Sequence, residues 1–300
     1  MGQYPVVFDR PLLRGRRKRA LALGPATFLL DHVTADLTER LALVLRRFEL
    51  AADIGTPSDA LQRAIMEKGL AARVIAVHAR ADRNPDEPGW SVVADEESLP
   101  FADGTLDLAV SALSLQFVND LPGSLSQIRR ALKPDGLLLA ALLGGDTLTE
   151  LRQAFAAAEA EIEGGVSPRV APFADVRELG ALLQRAGFAL PVTDIDRLTV
   201  RYDSVIALMH DLRRMGATNV LVERRRAPLR RATVLRMAEI YAQRFADPDR
   251  RLRATFEIVW LSGWAPHESQ QKPLRPGSAR ARLADALSTK EITAGEKARS

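Results

Sequence analysis

The stretch from Val92 to Gly145 constrains this chain more than any other: VVADEESLPFADGTLDLAVSALSLQFVNDLPGSLSQIRRALKPDGLLLAALLGG. An apolar strand ends at Asp95, and a loop follows with Pro100 on its far side. A second strand runs from Leu106 to Leu113. A helix starts at Asp120, with Leu125, Ile128 and Leu132 recurring at helical spacing. Lys133-Pro134-Asp135-Gly136 reads as a turn, because proline presets φ at one corner and glycine permits positive φ at the other. Leu137 to Leu143 has no polar face, as a strand covered on both sides by helices requires. Strand, loop, strand, helix, turn, strand is half of a doubly wound α/β domain.

The flanks extend the pattern. A helix over 26–47 places Leu29, Leu30, Val33, Leu37, Leu41, Val44 and Leu45 on one face. Phe48 to Ile54 is the first strand, Ala60 to Lys68 a helix stopped by Gly69, and Val74 to Val77 the second strand. Residues 80–89, with Pro85 and Pro88, read as a loop. Beyond the central stretch, Thr147 to Glu163 is a helix opened by a Thr147–Glu150 capping box, and Phe173 to Ala186 another closed by Gly187. Two strands follow, Pro191 to Ile195 and Leu198 to Tyr202, then amphipathic helices at Asp203 to Met215 and Pro228 to Phe245. A last strand alternates over Ala254 to Trp260. The expected organisation is a basic helical segment 1–47, a core of 48–202 with 253–265, a helical insertion 203–252, and a basic polar tail 266–300.

Composition narrows the function classes. With 47% hydrophobic and 27% charged residues in 300, there is material for a full core. The net charge is only +4, but basic residues cluster at Arg10 to Arg19, Arg213 to Arg236 and after Lys272. Such clusters suit an acidic protein partner or an anionic lipid surface. Aromatics at 5% are too few for base-stacking platforms, which argues against nucleic acid. The absence of cysteine excludes disulfides and thiolate metal sites. No apolar run approaches the roughly 20 residues that span a bilayer, and no apolar h-region follows the basic N-terminus. The expected location is cytoplasmic, with peripheral contact at the inner face of the membrane. Four scattered histidines give no paired metal spacing, so no metal site is expected.

An acid after one strand, Leu99-Pro100-Phe101 followed by Asp107-Leu108 and Ser111, and Leu132-Lys133-Pro134 before Gly136 resemble the class I S-adenosylmethionine (SAM) dependent methyltransferases. The phrase SALSLQFVNDLPGSLSQIRRALKPDG is similar to the branch holding the malonyl-carrier-protein methyltransferase of biotin synthesis and the methyltransferase-like assembly factor of respiratory complex I. Phe8-Asp9-Arg10 with the following arginines, Phe28-Leu29-Leu30, and the closing GWAPHESQQKPLRPGSA resemble the second group. The resemblance implies a Rossmann-like sheet, mostly parallel with an antiparallel edge strand, plus a helical insertion. It implies SAM as cofactor and a protein partner, an iron–sulfur subunit of complex I, on which that family hydroxylates an arginine.

The same resemblance implies a cofactor site at Asp53, Gly55, Thr56, His78, Asp95, Glu96 and Ser111. The first turn departs from the family's D-x-G-x-G-x-G. Asp53 and Gly55 match, but Pro57 and Asp59 replace the later glycines. Proline has no N–H to donate, and a carboxylate stands where the ligand's own carboxylate would go. Thr56-Pro57-Ser58-Asp59 reads instead as a helix start with Thr56 as N-cap. His78 stands where an acid accepts from the ribose hydroxyls, and imidazole cannot accept the bidentate pair. Asp95-Glu96 keeps the pattern at the adenine side, and Ser111 to Ser114 ends the fourth strand, where the resemblance places the pocket wall. These departures predict weak or absent SAM binding.

Methyl transfer to an already nucleophilic acceptor needs positioning more than acid–base chemistry, so no catalytic residue is assigned. His210 would face the pocket if the inserted helices form a lid, and Trp260, Trp264 and His267 offer either interface anchors or core closure. Two functional readings follow: a SAM-dependent or related modifying enzyme acting on a protein, and a non-catalytic relative that keeps the fold as an assembly module.

Overall fold

The computed structural model describes residues 6–79, 89–271 and 289. The chain divides into Met1–Pro266 and His267–Ser300; the fold below is that of the first. The loop expected over 80–89 lies, except for Gly89, outside the described residues, as does nearly all of the basic tail.

Seven strands form one sheet: β1 Phe48–Ile54, β2 Ala71–His78, β3 Trp90–Val93, β4 Leu106–Ala112, β5 Leu132–Leu143, β6 Ala189–Tyr202 and β7 Leu252–Trp264. Their order is β3-β2-β1-β4-β5-β7-β6. Strands β1 to β5 pair in parallel. Strand β7 runs antiparallel to both neighbours and slots between β5 and β6. The order reverses between β1 and β4, which puts the topological switch, and hence the ligand crevice of such sheets, at their carboxyl ends.

Period-two alternation splits the core. Leu137, Leu139 and Ala141 of β5 join the buried cluster under α2 (Phe28–Ala42), α3 (Ala60–Glu67) and α5 (Thr149–Glu163). Leu138, Ala140 and Leu142 join the cluster under α4 (Leu121–Ala131) and α6 (Val176–Arg185). A strand buried on both faces can carry no polar side chain along this run, which is what the sequence shows.

Three local expectations are revised. Lys133 to Gly136 do turn, with Asp135 at φ 61°, but as a bulge inside β5: Leu106 pairs with Leu132 and Leu108 with Leu137. The two strands expected over 191–202 are one. Asp196-Arg197 is not a break, because both residues pair with β7 and turn their charges outward, Asp196 to His32 and Arg197 to Glu257. The Thr147–Glu150 capping box does not form. Leu148 is left-handed at φ 55°, so Thr147 bonds both backbone groups of Glu257 and Glu150 accepts from Thr255.

The inserted helices part company. Helix α8 (Arg231–Phe245) packs on α5, burying Met237, Ile240 and Tyr241; its Arg236 pairs with Glu161, and Arg230 just before it with Glu163. Helix α7 (Val205–Arg214) buries Val205, Leu208 and Leu212 and continues into the wall of a cavity. His210, which would face the pocket only if these helices form a lid, is exposed and outside the cavity lining, because Met209 and Leu212 take the inward positions of that turn. Trp260 closes the core under the Arg40 guanidinium, 4.4 Å from its ring; Trp264 is half-buried against the same core.

Candidate functional site

The basic N-terminus turns inward. Helix α1 (Arg10–Ala22) starts where Asp9 accepts from Leu12 N–H, and Asn119 accepts from Val7 and Phe8 N–H groups, fixing the entry of the chain. Arg10, Arg14 and Arg17 lie at i, i+4 and i+7, so they share one helix face. That face, with Leu13, covers a cleft at the carboxyl ends of β1 and β2.

The cleft's acids meet those arginines. After β3 the chain makes a tight turn closed by Ser98 N–H on the Asp95 carbonyl, which presents Asp95, Glu96 and Glu97 together. Arg10 Nη2 donates to Asp95 Oδ1 at 2.9 Å and to Glu96 Oε2 in a shorter bond, and Arg10 Nη1 lies 3.7 Å from Glu97. Arg14 reaches Asp95 at 3.1 Å and Arg17 reaches Glu96 at 3.9 Å. Three guanidinium groups therefore face three carboxylates. Both Arg10 and Glu96 are buried, at 9% and 5% exposure, so screening by water is weak and the charge-assisted bonds are strong.

The first turn is arranged to let this acid in. Gly55 sits at φ +73°, and a Cβ there would lie 2.5 Å from Glu96 Oε1 and from Ser114 Oγ. Ser114 in turn donates to Glu96 Oε1 at 2.8 Å. Asp53 lies beneath, accepting from Thr56 Oγ1 at 2.5 Å, while Thr56 Oγ1 accepts from Ala112 N–H across to β4. The expected N-cap role of Thr56 is therefore wrong: its hydroxyl is committed between strands, and α3 begins only after Asp59. Asp59 makes no cap bond but pairs with Arg63 one turn on.

Burial pushes the Asp53 carboxyl up to about 7, against the smaller lowering by Thr56. The folded chain thus holds a proton that the unfolded chain releases above the ordinary carboxyl range. The contribution of this one group is greatest below the ordinary carboxyl range, falls as pH rises toward 7, and is level above it. Between pH 5 and 8 the loss is about 3 kcal/mol, at about 1.4 kcal/mol per unit. Asp53→Asn removes the titration, so its urea midpoint is expected to change less than the wild type's over that range. Equal changes in both proteins would contradict this assignment.

Of the residues expected at a cofactor site, Asp53, Gly55, Thr56, His78 and Glu96 line one cleft, and Asp95 adjoins it through Arg10. Ser111 lines neither cavity; its hydroxyl donates to the Ile54 carbonyl between strands. Arg10 and Glu97 were missed. The signals available were the arginine spacing and the unbroken acid triplet 95–97.

As arranged, the smaller cleft alone does not hold SAM. The cleft holds about 70 Å³, against roughly 300 Å³ or more for small-molecule sites. The space freed by Gly55 is taken by Glu96 and Ser114, Pro57 offers no N–H, and the adenine-side acids are spent on Arg10. Next to it, sharing Arg17, Pro57 and Ser58, lies a larger cavity of about 340 Å³ between α1, α2, α5, α7 and the ends of β4 and β5. Among the described residues, no group of three or more His, Asp or Glu side chains could hold a metal ion, and no helix is long and apolar enough to cross a membrane.

The strand order, the switch-point crevice and the acid after β3 define a methyltransferase-type domain, and the methyltransferase domain family matches residues 52–140. The chain is 38% identical to the mitochondrial arginine-hydroxylase NDUFAF5 of Danio rerio over 286 residues, covering 93% of this chain and 89% of that one. It is 40% identical to the Homo sapiens protein of the same name over 280 residues, covering 91% and 81%. A malonyl-[acyl-carrier protein] O-methyltransferase of Xylella fastidiosa (strain M23) is 34% identical over 270 residues, covering 87% and 89%. The YcgJ protein of Bacillus subtilis shares the fold, with a TM-score of 0.53 at 14% identity, covering 79% of this chain and 99% of that one. The chain belongs to the family of methyltransferase-like proteins that includes the arginine-hydroxylase NDUFAF5, with the malonyl-[acyl-carrier protein] O-methyltransferases as further relatives.

Proposed function

We propose that this chain recognises an arginine-bearing segment of a protein partner, an iron–sulfur subunit of respiratory complex I, and modifies or holds it during assembly. The observation that carries this reading is the acid triplet of Asp95, Glu96 and Glu97 closed on a guanidinium at the strand ends. Planar, forked donors match paired carboxylates in a way an ammonium does not. Arg10 fills that place in the free chain, and a partner arginine would exchange with it. The NDUFAF5 relatives are named for arginine hydroxylation, which agrees with that chemistry. Methyl transfer from SAM is the second reading, favoured by the domain match and by Asp53 and Gly55 at their family positions.

The test mixes the full chain with the iron–sulfur subunit, with SAM as methyl donor in one arm and dioxygen with a reductant in another, and follows complex formation and the mass of the subunit's arginine peptides. A gain of one oxygen supports hydroxylation, a gain of one methylene supports methyl transfer, and a stable complex with no change supports an assembly role. Neither complex nor mass change would refute the proposal. The recognition element is checked separately in Arg10→Ala. Millimolar methylguanidinium is expected to raise its melting temperature and methylammonium to leave it unchanged; equal effects would mean that no guanidinium site exists.

A further inference from the structure

The larger cavity has a chemistry that the guanidinium site does not use. Its wall is apolar, built from side chains such as Leu30, Leu148, Leu151, Phe155 and Phe256. Its volume of about 340 Å³ falls in the range of small-molecule sites. Gln116, 9% exposed, stands in this wall with its Oε1 buried and without a hydrogen-bond partner.

The rim is cationic. Gly216 (φ +69°) lets the end of α7 press against α1, where a Cβ would meet Arg17 Cα at 3.0 Å. This brings Arg213 and Arg214 to the same cavity as Arg16 and Arg17. Arg169, Arg214 and Arg17 have carboxylate partners in Glu159, Asp211 and Glu96. Arg16 instead donates to the Asn219 carbonyl, which leaves its charge in place. Burial and the nearby charges of Arg224 and Arg19 lower the Arg16 pKa, with Asp9 opposing, so the positive potential there is only partly balanced. Arg213 is exposed at the carboxyl end of α7. An apolar chamber with an under-neutralised basic rim selects both for a hydrocarbon tail and for a negative head.

We infer that this cavity binds an amphipathic anion, its hydrocarbon tail within the apolar chamber and its carboxylate or phosphate head at Arg16 and Arg213. The rim also disfavours an arginine side chain as occupant, so this site and the acid triplet take different ligands. The two meet at Arg17, Pro57 and Ser58.

The test is calorimetry of the full chain with dodecanoate, dodecyl phosphate and dodecyltrimethylammonium, each kept below its micelle-forming concentration. The first two separate a free carboxylate from a phosphate-bearing head, and the third carries the same tail on a cation. Saturable one-to-one binding of either anion, with the cation at least tenfold weaker, is expected. Arg213→Glu, at an exposed position, should weaken the anion on the order of tenfold and make the remaining affinity less salt-dependent. Met209→Trp, which fills the chamber, should abolish binding. Equal binding of anion and cation, no binding of either anion, or full binding by a folded Met209→Trp would each overturn the inference. If that variant does not fold, the comparison of head groups on the wild type still decides.

Discussion

Arg10→Ala is expected to lower the stability of this chain by about 3–5 kcal/mol, the range for removing one partner of a buried ion pair. The reason lies in what remains. Glu96 would stay buried behind Gly55 with Ser114 Oγ as its short-range donor, and Asp95 and Glu97 would press their charges on it. Arg17 Nη1, 3.9 Å from Glu96, compensates only in part. Arg14→Ala is the control. Its side chain is 39% exposed and its partner Asp95 30% exposed, so water screens the pair and the loss should stay below about 1 kcal/mol. Urea unfolding of both variants checks this. A loss at Arg10 no larger than that at Arg14 would mean that the cluster is solvated and its geometry incidental. The same contrast separates the residues of the basic N-terminal helix that hold the fold from those that supply surface charge. Arg10 and Arg17 are part of the fold, so replacing Arg14, Arg16, Arg17 and Lys18 together by glutamine would cut the Arg17–Glu96 contact as well as surface charge.

The sheet was legible because its signals are local. The unbroken apolar run Leu137 to Leu143 can only be a doubly covered strand, and Phe48 to Ile54 ends on the Asp and Gly that a switch-point turn requires. Errors arose where a residue's partner is remote in sequence. Thr147 reads as a cap until Glu257 of β7, more than a hundred residues away, takes its hydroxyl. Asp196-Arg197 reads as a break until Glu257 supplies a counter-charge to Arg197 and His32 a hydrogen-bond partner to Asp196.

The site was half legible for the same reason. The departures at Pro57, Asp59 and His78 are visible in one line of sequence and speak against a nucleoside ligand. What replaces it is not, because Arg10 lies 85 residues from Asp95. The spacing of Arg10, Arg14 and Arg17 was available, but charge at helical spacing is more often a solvated face. Only the buried neighbours Leu13 and Ala20 on the same helix show which way it turns.

In this methyltransferase-type domain the crevice closes on the Arg10 guanidinium and the carboxylates of Asp95, Glu96 and Glu97, and we propose that it takes a guanidinium in preference to SAM. Titrating SAM into the full-length protein by calorimetry tests it most directly. On the resemblance, Pro57, Asp59 and His78 stand where the family's ligand contacts would be, and Arg10 would have to leave the buried carboxylates before a nucleoside could enter. The predicted result is no measurable heat, with any affinity weaker than about 1 mM, or about −4 kcal/mol. A saturable micromolar affinity, about −8 kcal/mol, would contradict the account and make the closed cleft an ordinary cofactor site.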